Sequence, residues 1–102
     1  MSVEIEPQAD RTALRVRGPV RLGEVAELLE HARAAGERAL PVELDLREAE
    51  HLHAAAWQVL AALDRGLREH GFALRVVGAS DATRAMLELL DRTAWLARED
   101  DD

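Results

Sequence analysis

The chain contains no cysteine, no lysine and no tyrosine, and its only aromatic residues are Trp57, Phe72 and Trp95. Without cysteine there is no disulfide, no thiolate nucleophile and no zinc–thiolate site. With so few aromatics the core must be built from Leu, Val and Ala, and no ring platform exists on which nucleic-acid bases could stack. Every positive charge is an arginine, and the net charge is −7. Four of the acids form the terminal run Glu99–Asp102, so the 13 arginines face 16 remaining acids and the body carries −3. An acidic body opposes the neutralisation of phosphate that nucleic-acid binding requires, so no nucleic-acid partner is expected. The terminal run reads as a solvated, disordered tail, with a docking tail as the alternative. No apolar stretch approaches the roughly 18 residues that span a bilayer, and the start lacks a basic segment followed by an apolar one. Direct membrane insertion is therefore not expected, and the expected location is cytoplasmic. Neither repeats nor a linker are visible, which points to one domain over residues 1–98 followed by the acidic tail 99–102.

What is present is a clear alternation of periods. Val3-Glu4-Ile5-Glu6 and Ala13-Leu14-Arg15-Val16-Arg17 alternate apolar and polar, with a turn over Pro7–Asp10 and Gly18-Pro19 closing the second run. This is the pattern of an antiparallel hairpin. From Leu22 the period changes, and Leu22, Val25, Leu28, Leu29 and Ala32 share a helical face that Gly36 ends. Val42–Leu46 reads as a strand, and Ala54 to about His70 as the longest helix, with Ala56, Val59, Leu60, Leu63 and Leu67 as its stripe. Phe72–Val77, between Gly71 and Gly78, suits a strand buried on both faces. Ser80 is a good cap for a last helix in which Met86, Leu87 and Leu90 face the core. Trp95 and Leu96 would close a final short element. The order β-β-α-β-α-β-α predicts an α/β fold, a mixed sheet of four to five strands with helices packed on it.

The stretch Val42–Leu60 adds a resemblance. Leu44-Asp45-Leu46, then Leu52, then a tetrapeptide opening a Leu-rich helix is similar to the STAS domain of anti-sigma-factor antagonists. The helix end and strand of Leu67–Leu74, Val77-Gly78 and the helix containing Leu87–Leu90 fit the same family over nearly the whole chain. The family carries Asp-Ser-Ser-Gly at the helix start; this chain has His53-Ala54-Ala55-Ala56. The resemblance implies a switch protein whose second Ser is phosphorylated by a kinase that also sequesters a sigma factor. Other members serve as cores of stress-signalling complexes, or as the small cytoplasmic subunit of lipid-transport ABC systems.

Ala55 stands at the phosphoacceptor position, and no Ser, Thr or Tyr occurs between Thr12 and Ser80. A phosphoryl group would bring about −1.5 to −2 charge to this helix start; Ala55 cannot accept one. With His53 in place of Asp, the first N–H groups of the helix lack an obvious side-chain acceptor, and water is their expected partner. His51 and His53, near Asp45, Glu48 and Glu50, would need a third ligand to hold zinc, and no pattern supplies one. They read as solvent-facing loop histidines; a phosphohistidine at His53 is the remoter alternative. Trp57 lies off the apolar stripe and is either an exposed anchor for a partner or a cover for the edge of the core.

No nucleophile–base pair, phosphate loop or carboxylate pair is present, so no catalysis and no cofactor are expected. The reading is a protein-binding domain in bacterial signalling with His51, His53, Ala54, Ala55, Ala56 and Trp57 as its partner surface. The resemblance implies an anti-sigma-factor kinase-like partner, or alternatively the ATPase and permease of an ABC transporter, and leaves a homodimer open. A small-ligand sensor using the crevice between sheet and helices is a third reading.

Overall fold

The computed structural model describes residues 1–96. The domain boundary at 98 and the acidic tail 99–102 lie outside the described residues. The hairpin forms as the alternation requires: β1 (Ser2–Pro7) and β2 (Thr12–Val20) run antiparallel, from Ser2 opposite Arg17 to Pro7 opposite Thr12. A short 3-10 turn, Leu22–Glu24, leads into α1 (Val25–Glu37). Next along the chain come β3 (Val42–Asp45), β4 (Ala49–Leu52), α2 (Ala54–Glu69), β5 (Leu74–Val77), α3 (Asp81–Leu89) and a 3-10 turn at Thr93–Trp95. Strand order is β1-β2-β3-β5, with β4 paired to the far part of β2. All pairings except the hairpin are parallel.

The sheet has one dry face. Thr12, Leu14 and Val16 of β2, Val42 and Leu44 of β3, and Leu74 and Val76 of β5 are buried. Leu28, Ala32 and Ala35 of α1 and Ala56, Leu60, Leu63 and Leu67 of α2 join the same core. The intervening strand residues form a charged face, where Arg15 lies 3.3 Å from Asp45 and Arg17 lies 3.1 Å from Glu4. Exposed pairs of this kind are worth about 0–1 kcal/mol each, so stability comes from the other face. Helices α1 and α2 meet closely: a Cβ added at Gly36 would sit 3.2 Å from the Leu63 Cδ1.

Two polar contacts tie the layers together. Arg38, at the end of α1, donates to the carbonyls of Gln8 and Arg11 and to the buried Thr12 hydroxyl, at 2.7–2.9 Å. Asp64, inside α2, accepts the Leu74 N–H at 3.0 Å and the Arg68 Nε at 2.8 Å, which fixes where β5 begins. A buried N–H left without its acceptor costs about 1–3 kcal/mol, so Asp64 is a structural carboxylate.

The fold class stands, but several local expectations change. β2 continues through Gly18-Pro19 to Val20, because Gly18 adopts φ +74° and the strand shifts register there instead of ending. The residues after β3 are not a plain loop, since Ala49–Leu52 adds the fifth strand. Gly36 lies inside α1; the reversal falls on Ala39, at φ +51°. β5 is buried on one face only, with Arg75 exposed. Leu22 and Leu90 do not face the core, being 65% and 40% exposed; in the last helix only Leu87 among the expected Met86, Leu87 and Leu90 is fully buried.

Candidate functional site

The start of α2 is held by the sheet. β4 pairs with β2 through Gly18 opposite Ala49 and Val20 opposite Leu52, and the His53 N–H donates to the Val20 carbonyl at 2.8 Å. Leu52 is buried while Glu50 and His51 are exposed, so this segment is anchored by one apolar side chain and offers its polar ones to solvent. His53 is the residue that caps α2, with an extended backbone and its Nδ1 accepting the Ala55 N–H at 3.0 Å. The expectation that these N–H groups would turn to water is therefore corrected. Imidazole nitrogen replaces carboxylate oxygen as the acceptor, and the bond requires the tautomer with its proton on Nε2. The Ala56 and Trp57 N–H groups both point to the His53 carbonyl, at 2.8 and 3.4 Å.

Beyond the cap the expected site residues divide. Ala54 is exposed and Ala55 half-buried, whereas Ala56 is 0% exposed and belongs to the core. Trp57 is 7% exposed, which decides its two readings: it covers the edge of the core and does not project as an anchor. Its edge still lines a surface groove of about 480 Å³ between α2 and α3, together with His51, Ala54, Met86, Leu90 and Trp95. His53, Ala55 and Ala56 are not part of that lining. Sequence reasoning missed the second wall of the groove, which α3 and Trp95 supply from some thirty residues downstream. The available signal is Met86 and Leu90 one helical turn apart, a spacing that a core-facing stripe shares.

No hydroxyl lies near Ala55 along the chain, and Ser80 and Thr83 line a hollow of about 280 Å³ with His51, Leu52 and Trp57 that does not include Ala55. The Ser80 hydroxyl is already engaged there, accepting the Thr83 N–H at 3.2 Å and donating to the Thr83 Oγ1 at 3.1 Å. Among the described residues no group of three or more His, Cys, Asp or Glu is arranged to hold a metal ion. No helix among them is long and apolar enough to cross a membrane.

This geometry defines the class first: an α/β domain that presents a helix start and an adjoining apolar groove as a surface. The family described as Mlab, STAS domain matches residues 3–96, and the chain belongs to the STAS domain family. No curated protein matches in sequence. Among solved structures, an anti-sigma-factor antagonist from Mycobacterium paratuberculosis is 28% identical, with a TM-score of 0.79 over 98% of this chain and 88% of that one. The antagonist SpoIIAA in its unphosphorylated form is 12% identical, with a TM-score of 0.80 over 98% and 91%. A putative antagonist from Thermotoga maritima is 10% identical, with a TM-score of 0.81 over 97% and 89%. The last two likenesses concern the fold alone.

Proposed function

We propose that this domain is a non-catalytic protein-binding module of the anti-sigma-factor antagonist kind, engaging its partner through the start of α2 and working without phosphorylation at that start. The observation that carries this reading is the helix start itself. His53 caps α2 through Nδ1, Ala54 is exposed, and Ala55 has no hydroxyl to accept a phosphoryl group. A surface that cannot acquire charge at this point stays in one binding state, which suits a constitutive binder or a scaffold in a signalling complex. Control would then rest with the partner's state or with the amount of protein present.

Two measurements test this. Capture from the native host with identification of the bound proteins should return a kinase-like anti-sigma factor or a signalling scaffold; an ABC permease–ATPase pair would overturn the reading. Incubation with the recovered kinase and labelled ATP should leave the chain unlabelled, and label on it would overturn the constitutive state. An Ala55→Asp variant, which adds a permanent negative charge where a phosphoryl group would sit, should weaken capture at least ten-fold.

A further inference from the structure

We propose that the groove between α2 and α3 receives an acidic, apolar-anchored segment of a partner protein. Its apolar side chains would lie between Trp57, Leu90 and Trp95, and its carboxylates on Arg65 and Arg92. The proposal rests on the protein-binding reading above and names the chemistry of the bound segment.

The apolar half comes from exposure. Among the described residues the exposed large hydrophobics are Leu22, Leu89 and Leu90, and the last two, at 80% and 40%, stand together at the end of α3. Of the two, Leu90 lines the groove, together with Trp57 and Trp95, which are 7% and 2% exposed. Apolar surface gathered beside a preformed groove marks an interaction site in a way that a single exposed Leu does not.

The charged half comes from sorting the ions at the groove's end. There it runs on, sharing Ala61, Arg92 and Trp95, into a hollow of about 250 Å³ that Arg65, Arg68, Asp64 and Asp91 also line. Arg68 and Asp64 are committed to each other at 2.8 Å, and Asp64 also holds the Leu74 N–H. Arg92 lies 5.8 Å above the centre of the Trp95 ring and has no carboxylate partner among the described residues. The turn that ends α3 places it there: the Arg92 N–H returns to the Leu87 carbonyl at 2.7 Å while Asp91 takes φ +56°. Arg65 is exposed, with neither a hydrogen bond nor an ion pair among the described residues. Among the described residues, Arg65 and Arg92 therefore line this end without a carboxylate partner, beside the one carboxylate not already engaged by Arg68, that of Asp91, on a chain whose net charge is −7. Among the described residues that line it, three arginines stand against two aspartates, a sign opposite to that of the whole chain. Guanidinium groups pair in forked geometry with carboxylates, and a rim of that sign selects acidic segments over basic ones. A nucleic-acid strand, which needs many neutralised phosphates, finds only Arg65, Arg68 and Arg92 among the described residues lining this end.

The probe is an acetylated peptide of three leucines followed by three glutamates, with a control carrying lysine for each glutamate. The full chain is titrated and followed by the NMR signals of the two indole N–H groups, since both tryptophans of the chain line the groove. The acidic peptide should move both signals and bind at least ten-fold more tightly than the control. Arg65→Glu with Arg92→Glu should weaken it at least five-fold, and Leu90→Glu should abolish it. Equal binding of the lysine control, or indifference to the arginine reversals, would overturn the proposal. Indole shifts that depend on protein concentration without peptide, and vanish when residues 97–102 are removed, would assign the groove to a second copy instead. Ala55→Asp lies outside the groove lining and should leave peptide affinity within two-fold while impairing partner capture, so the two readings fail separately.

Discussion

Helices α2 and α3 begin in contrasting ways, although each comes after a strand of the same sheet. α3 starts as the sequence says it should: Ser80 is extended at φ −71°, ψ 167°, and its hydroxyl accepts the Thr83 N–H. α2 starts on a histidine, which caps with a ring nitrogen one residue earlier in the helix, at Ala55. The second difference lies just past the cap. The first turn of α2 drives Ala56 and Trp57 into the core, whereas in the first turn of α3 only Thr83 is buried. One start is held by packing with a modest cap, the other by its cap with modest packing. A start held by packing suits the single binding state proposed above.

That contrast can be broken most strongly at Trp57. Trp57→Ala should cost about 3–5 kcal/mol by chemical denaturation, as for other buried aromatics, while Trp57→Phe should cost far less. A loss under 1 kcal/mol for Trp57→Ala would show that the α2 start is not anchored by packing. Next in size, Ser80→Ala should cost about 1 kcal/mol, the usual worth of a serine cap. For a domain of this length that lowers the melting temperature by roughly 4–8 °C. His53→Ala should cost about 0.5 kcal/mol, because one neutral hydrogen bond is lost and Ala56 and Trp57 remain buried. His53→Asp should reverse the sign and stabilise by about 0.5 kcal/mol, since a carboxylate at a helix start also meets the favourable end of the dipole. If His53→Ala cost as much as Ser80→Ala, the distinction between the two starts would fail.

The same contrast explains which features are legible in the sequence. Ser80 is legible because hydroxyl capping leaves a local signature, and the stripe Ala56–Leu67 because helical period is local too. The strand β4 is not, since Ala49-Glu50-His51-Leu52 has a single buried apolar residue and owes its conformation to β2. The continuation of β2 past Gly18-Pro19 is hidden for a related reason: a positive-φ glycine can serve a strand irregularity as well as a turn. The start of α2 can be located from its spacing, but the groove beside it cannot. Its far wall is built by Met86, Leu90 and Trp95, and only the fold brings them to His51 and Trp57.

The start of α1 sharpens the comparison by adding charge. Glu24 accepts the Arg21 N–H at 3.1 Å and the terminal ammonium of Met1 at 2.9 Å. The ammonium contact first, and the Arg21 N–H second, hold its carboxyl below the ordinary carboxylate value. A lowered folded-state pKa means that the ionised form supports the fold. That support is complete above the ordinary carboxylate range and is lost as pH falls through the lowered value. The stability difference between the natural chain and Glu24→Gln should therefore narrow as pH drops from about 6 to about 3. Ser80→Ala should show no such trend, because a hydroxyl cap does not titrate there. A Glu24→Gln difference that stayed flat across this range would remove the charged start from the comparison and leave geometry alone to distinguish the three helices.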